Sequence, residues 1–566
     1  MTRTFSTHKI RWQTELTQLW AFTPLSGEVS GEAAETRLVA VPSCWETYPG
    51  FGCYRGKAVY ETTFQAGGNL RVVCKGVSHT AEVSLDGSEI ARHYNAFTSF
   101  SGIMKNADKG KHSLRIEVSN EFSADSALHI PNDYMTYGGI NRPVLVEEVP
   151  DVFIEWVHAV PEYEQGEWSL SIETKLNNIG NASRKAAVQH SLDGQTVKTE
   201  TEEIPANGSI VLKSRKTYAE VSAYAPENPV LYLLESLLYI DGEAAPIDDL
   251  IERIGFRTIK TEGKKILFNG IELNIKGFCR HEDHPQFGCS LPFQAMDYDL
   301  NLIKESGANA IRTSHYPNDE LFLDMCDEKG ILIWEENHAR GLKEEDMRNP
   351  NFEAQCSDCI TSMIENHYNH PAIIIWGILN ECASDTQYGY ECYAKQFAQI
   401  KSIDSSRPVS FASCRFFNDL CLGLPDIVCY NIYPEWYAYP QWPDGNSTDE
   451  MFTRIYDWVQ ESTEGAGKPF LIGEVGAGAI YGNRNIYHSK WSEERQADIL
   501  TMQLEKLMEK DECSGMFIWQ FCDCRVSEEW FAQRPRTYNN KGVVDEYRRP
   551  KLAFDAVKRI YRAHKD

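Results

Sequence analysis

No stretch of 18 apolar residues occurs in this 566-residue chain, and its first ten residues, Met1 to Ile10, hold no apolar core of the kind an export signal needs. The expectation is a cytoplasmic protein without a membrane span. Basic residues are also scarce: 56 Lys and Arg stand against 82 Asp and Glu, a formal charge of -26. A surface of that sign repels phosphate backbones and anionic lipids, so nucleic acid and membrane are excluded as partners. A small anion held by a few local cations is not. Short-period repeats and low-complexity tracts are absent. Cysteine is plentiful, at 16 residues, but no two pairs stand at zinc-site spacing. Cys356 and Cys359 lie in an amphipathic segment with Phe352, Ile360, Met363 and Ile364 that reads as a helix, and Cys513, Cys522 and Cys524 flank a strand-like run. The cysteines therefore read as reduced packing thiols, with no metal and no cofactor implied.

What is present divides the chain into three. At 42% hydrophobic and 11% aromatic content it can fill several cores. Residues 1–150 alternate apolar and polar positions in short runs, as in Lys57 to Phe64, Thr80 to Leu85 and His112 to Val118, with Asp86-Gly87 as a hairpin turn; this is the pattern of an antiparallel sandwich. Residues 151–258 repeat it on a smaller scale, in Trp168 to Thr174, Ala186 to Leu192 and Ser209 to Leu212, which suits an immunoglobulin-like sandwich. From 259 to 566 strand and helix alternate. Strands are expected to begin near Glu272, Asn309, Ile331, Ala372, Val409, Ile427, Pro469 and Gly515, with helical segments at 297–305, 319–329 and 492–510, the last capped by Ser492. Eight such units predict a closed (β/α)8 barrel.

Chemistry in such barrels sits at the carboxyl ends of the strands. Polar residues cluster there in register: Arg280 to Asp283, His315-Tyr316, Glu335 to His338, Asn380-Glu381, Tyr430-Asn431, Tyr433 and Glu474, with Trp519 near the last. Glu381 and Glu474 each follow a run of bulky apolar residues, where a carboxylate belongs at the mouth of a cleft and not in a core. Two carboxylates facing one cleft suit glycosidic bond cleavage.

The chain resembles glycoside hydrolase family 2 from end to end, in the order sugar-binding jelly roll, immunoglobulin-like sandwich, catalytic barrel. The resemblance is carried by Val41 to Trp45, Tyr137 to Val144, Ile254 to Arg257, Arg280 to Pro285, Arg312 to Pro317, Trp376 to Glu381 and Gly473 to Gly476. It implies a retaining mechanism with Glu381 as acid/base, Glu474 as nucleophile and Tyr433 donating to the nucleophile. It further implies that Asn380 holds the sugar 2-hydroxyl, that Trp519 lies under the ring, that Asp133 and His281 meet ring hydroxyls, and that Asn431 precedes the catalytic tyrosine.

Asn539-Asn540-Lys541 falls where the uronidases of this family carry an Asn-x-Lys signature for the C6 carboxylate, and Tyr437 matches a further contact to it. The implied partner is a small β-linked uronic-acid glycoside or oligosaccharide, and the family's habits allow a homo-oligomer. Two features depart from the glucuronidases: the long loop over the aglycone is missing after the third strand, and Arg340 replaces an apolar residue. Arg340 either donates to an axial C4 hydroxyl, favouring galacturonides, or pairs at the surface with Glu344 or Glu345. A β-galactosidase or other neutral-sugar hydrolase of the family is the nearest alternative, a non-catalytic carbohydrate-binding protein the alternative from another class.

Overall fold

The computed structural model describes residues 2–27, 35–439 and 447–564. Its first part is an antiparallel eight-stranded sheet whose path runs from Trp12–Glu15 through Val144–Val149, Lys57–Cys74, Phe100–Ser119 and Thr80–Leu85 to Ser88–Tyr94. A three-stranded sheet of Ser43–Cys44, Gly139–Ile140 and Val77–Ser78 shares its core, with Trp20, Phe22, Tyr60 and Ile116 against Trp45, Val77 and Ile140. The turn at Asp86-Gly87 has positive φ at both residues, 50° and 81°, and joins the paired residues Leu85 and Ser88. That is the geometry a two-residue hairpin demands.

The second sandwich packs the sheet of Val152–Glu164, Glu167–Asn178 and Gly208–Tyr218 against the sheet built on Arg184–Leu192, Tyr232–Ile240 and Asp248–Ile254. Alternate residues of both, Leu170, Ile172, Val188, Leu234 and Leu238 among them, meet in one core.

Eight parallel strands then close a barrel: β1 Ile275–Cys279, β2 Ala310–Arg312, β3 Leu332–Glu336, β4 Ile373–Gly377, β5 Val409–Ser413, β6 Ile427–Asn431, β7 Phe470–Val475 and β8 Cys513–Ile518. Glu272, expected to open the first of them, belongs instead to Ile271–Glu272, the last strand of a small sheet with Lys265–Phe268 and Ile259–Glu262. Asn269 and Gly270, at φ 52° and 79°, turn the chain back before β1 can start. Ile259, Ile266 and Phe268 of this sheet join Leu332, Ile375, Leu471 and Phe517 in the barrel interior. Helices follow the strands as the patterning predicts. Glu320–Lys329 is capped by the Asp319 side chain, and Glu493–Met508 by Ser492, with Glu493 and Glu494 at the positive end of its dipole. Between β5 and β6 the connection is turn and loop, not helix. Thirteen of the sixteen cysteines are buried, Cys356 and Cys359 in the helix Phe352–His367, and they pack as small apolar side chains. Among the described residues no helix is long and apolar enough to cross a membrane.

Residues 120–138 of the first part form no regular element. They reach across to the barrel rim, where Ser527 Oγ donates to Asn132 O at 2.6 Å and Tyr137 Oη donates to Asp283 at 2.7 Å.

Candidate active site

A cavity of about 310 Å³ opens at the carboxyl end of the barrel. Its wall contains nine of the twelve residues singled out in the sequence: Asp133, Arg340, Glu381, Asn431, Tyr433, Tyr437, Glu474, Trp519 and Lys541. Asn380, His281 and Asn539 stand behind that wall, each at most 1% exposed.

The backbone aims the two glutamates. Along β7, Leu471 faces the barrel interior while Ile472 and Val475 pack outward against the helices. Strict alternation would put Glu474 on the outward face with Ile472. Register shifts against β6 at Tyr430/Asn431 and against β8 between Ile472 and Val475 insert an extra residue and turn it inward. Gly473 is required beside it, because a Cβ there would lie 2.8 Å from Asn431 Oδ1. Beyond β4, Leu379 and Glu381 adopt φ of 49° and 54°. A left-handed leucine is rare, and two such residues flanking Asn380 store roughly 1 to 3 kcal/mol each, held by the Glu381 N–H bond to Ala412 O at 2.9 Å.

Hydrogen bonds fix both carboxyls. Tyr433 Oη donates to Glu474 Oε2 at 2.5 Å, and Arg312 Nη1 donates to Oε1 at 3.2 Å. Arg312 is fully buried; it also makes a two-point pair with Glu336 at 3.0 and 3.1 Å and donates to Asn380 Oδ1 at 2.7 Å. Asn431 Nδ2 bridges Asn380 Oδ1 at 3.1 Å and Glu381 Oε1 at 3.0 Å. The Nδ2 group of Asn380 is left without a partner although buried, as is His281 Nε2. Buried polar groups are normally satisfied, so both atoms are open to a further partner. His315 Nδ1 donates to Glu336 at 2.7 Å, and its ring stacks on Trp519 at 5.0 Å. Burial keeps His281 and His315 neutral, their basicity far below that of free imidazole.

Burial, and then the charge of Glu381, raise Glu474 to about 8, against the pull of Arg312 and Tyr433. The Glu474 carboxyl therefore keeps its proton to a higher pH than a free carboxyl does. Asp133 goes the other way: burial would raise it, but Arg340, Arg534 and Lys541 hold it well below the usual carboxylate range.

Three cations thus line the cavity of an acidic chain. Lys541 Nζ lies 5.4 Å from the ring centre of Tyr437 and 5.8 Å from that of Tyr433, with no hydrogen-bond acceptor among the described residues. Arg340 is not at the surface with Glu344 or Glu345, which pair instead with Arg348 and Lys343. A backbone bridge to Asn380 turns Arg340 inward, where Nη1 lies 2.9 Å from Asn132 Oδ1 and 3.3 Å from Asp133, and Nη2 3.8 Å from Glu381. Asn539 Nδ2 donates to Asp133 at 3.2 Å, so this amide reaches Asp133 and not the cavity. Among the described residues of the wall, Arg340, Arg534 and Lys541 stand with the carboxyls of Asp133, Glu381 and Glu474.

The residues match known proteins along their whole length. Residues 259–565 fit the family described as glycosyl hydrolases family 2, TIM barrel domain. The chain belongs to glycosyl hydrolase family 2. This family 2 chain is 51% identical to a β-galacturonidase from Eisenbergiella tayi, solved with glycerol and with galacturonate bound. That likeness covers 100% of this chain and 99% or 100% of the other, with a TM-score of 0.95. A β-glucuronidase of Paenibacillus borealis is 26% identical over 538 residues, covering 88% of this chain and 86% of the other. A β-glucuronidase of Sus scrofa is 26% identical over 438 residues, 76% of this chain, and the family 2 chain spans 64% of that protein's length.

Sequence reading of the family 2 chain placed His315 and Glu336 among the polar strand ends and Arg312 in a matching run, but gave none of the three a role at the site. It also left out Arg534 and the cavity residues Cys414, Phe416 and Tyr439. Loop residues of this kind carry no motif; a basic residue close to an Asn-x-Lys was the one available signal. Elsewhere, Asp324, Asp327 and His370 come within 4.8 Å of one another, as metal ligands would. Arg3 occupies both oxygens of Asp324 at 2.8 Å, and Asp327 takes the His370 ring at 2.6 Å, so this cluster is a filled network joining the start of the chain to the barrel.

Proposed function

We propose that the chain is a retaining, exo-acting β-uronidase that removes terminal β-D-galacturonic acid in preference to β-D-glucuronic acid. The observation that carries the reading is Lys541, an ammonium 3% exposed in a cavity wall with aromatic faces beside it and no acceptor of its own. A buried unpaired charge is strongly unfavourable until a counter-ion arrives, and a C6 carboxylate supplies one. Tyr437 is the neighbouring contact, and the 51% identity to a galacturonidase supports the epimer.

In this reading the sugar lies on Trp519 with its anomeric carbon at Glu474. Arg312 and Tyr433 hold Glu474 as the carboxylate that attacks; Glu381 gives a proton to the departing oxygen and then withdraws one from water, releasing the sugar with its β configuration kept. Asn380 Nδ2 donates to the 2-hydroxyl, where a hydrogen bond strengthens as positive charge builds on the ring. Asp133 and His281 meet the hydroxyls at the far end, and the Arg340 guanidinium donates to an axial O4. The wall from the first domain closes that end, so cleavage releases one residue at a time. The absent aglycone loop leaves the other side open to small glycosides and oligosaccharides alike.

The test is a progress curve by proton NMR on an aryl β-D-galacturonide, with a 2-fluoro uronide as a trap. The β-anomer should appear first and the peptide containing Glu474 should gain the mass of one fluoro-uronyl group. First appearance of the α-anomer, or label on any other residue, would contradict the mechanism.

A further inference from the structure

Asp133 reaches the cavity from the first domain, and everything that holds it there comes from the barrel. Its neighbour Asn132 is bolted on both sides: its carbonyl accepts from Ser527 Oγ at 2.6 Å, its N–H donates back at 2.9 Å, and its side chain accepts from Arg340. Asp133 Oδ2 accepts from Arg534 Nη2 at 2.8 Å and from Asn539 at 3.2 Å, while Arg340 stands 3.3 Å from Oδ1. The Arg534 guanidinium lies 5.3 Å over the Trp530 ring, and its side chain is 17% exposed, at the cavity wall. Asp133 Oδ1 and the Nε groups of Arg340 and Arg534 are all buried without a hydrogen-bond partner. An acceptor between two donors is what a sugar hydroxyl, which both donates and accepts, requires.

We propose that Arg534 is a positioning residue for Asp133: from the loop after β8 it fixes the rotamer of a carboxylate borrowed from the first part of the chain, and through it sets how tightly the sugar hydroxyls far from the scissile bond are held. This rests on the uronidase reading above. A carboxylate with one guanidinium removed swings toward the other and offers the sugar a weaker, misdirected acceptor. Asp133 also faces Lys541 and Cys524 after β8, His281 after β1, His315 after β2 and its neighbour Tyr134. Of these, Arg340, Arg534 and Lys541 favour its ionised form.

The experiment is a double-mutant cycle on an aryl β-D-galacturonide with Arg534→Met, Arg534→Lys, Asp133→Asn and Asp133→Asn/Arg534→Met, each checked for an unchanged melting transition. Arg534→Met should raise KM about tenfold to a hundredfold with kcat changed less. Arg534→Lys should restore most of the loss, and Arg534→Met should add under threefold in the Asp133→Asn background. The proposal is overturned if kcat falls as much as KM rises, or if Arg534→Met costs the same factor with and without Asp133, which would make Arg534 a direct ligand of the substrate. If the native chain cleaves no uronide at all, it is the uronidase reading that fails; a native chain active on uronides with an indifferent Arg534 rejects this inference alone.

Discussion

The floor of the cavity and its far wall are built by opposite means. The floor, Glu381, Glu474, Asn431, Tyr433 and Trp519, comes from the ends of barrel strands, and its hydrogen bonds run through the buried Arg312 within a single domain. The wall, Asp133, Arg340, Arg534 and Lys541, comes from loops of two domains that share no strand, joined by ion pairs across the boundary. Strand ends are placed by the closure of the barrel and hold reacting groups to the tolerance that bond cleavage requires. Loops can change without disturbing that closure, so the proposed uronidase reading puts the discrimination between sugars there. The floor should therefore govern kcat on every substrate, the wall KM and the choice among substrates.

The sharpest way to break that division is at the floor. Glu474→Ala should lower kcat by about 10⁴-fold or more on uronides with any leaving group, and Glu381→Gln by roughly 10² to 10⁴, least for a phenol that departs without a proton. Stopped assays across a leaving-group series measure both. A Glu381→Gln loss that ignored leaving-group acidity would remove it from the acid role. At the wall, Arg340→Ala should cut the galacturonide over glucuronide preference by about tenfold while leaving kcat for the glucuronide within a few-fold. An equal loss on both epimers would make Arg340 part of the frame around Asn132 and nothing more.

The smallest effect concerns stability. Glu474 is raised to about 8 from 4.5, so the fold favours its neutral form; that contribution is fully present below pH 4.5 and is lost as pH rises toward 8. Glu474→Gln cannot ionise and should raise Tm by a few degrees at pH 8 and hardly at pH 5, read by calorimetry. A gain independent of pH would mean that the stored energy lies elsewhere, in the left-handed turns at Leu379 and Glu381 for instance.

The floor was legible in the sequence because strand periodicity and strand-end position coincide there: a run such as Phe470 to Ile472 fixes both the strand and the place of Glu474. Even so, alternation alone assigns Glu474 to the wrong face, and only the register shifts on both sides of it correct that. Glu272 illustrates the same weakness at a boundary, where a turn of two residues with positive φ moved the first strand on to Ile275. The wall was half legible. Lys541 and Asp133 were found through a resemblance, while the direction of Arg340 was open because its partners, Asn132 and Asp133, lie more than 200 residues away. Asn539 was assigned to the substrate carboxylate, but its amide faces Asp133. Arg534 left only its nearness to Asn539-Asn540-Lys541, since nothing else in Gln533 to Arg536 distinguishes a cavity residue from a solvated loop.

The central claim is that the Lys541 ammonium in the cavity wall selects a uronide. The direct measurement is kcat/KM on three matched aryl β-glycosides, the galacturonide, the glucuronide and the galactoside, for the native chain and for Lys541→Ala. The account predicts that both uronides exceed the galactoside by a hundredfold or more, with the galacturonide ahead, and that Lys541→Ala removes about ten- to a hundredfold from the uronides alone. A galactoside that competes with the uronides in the native chain, or that loses as much as they do in Lys541→Ala, would contradict it.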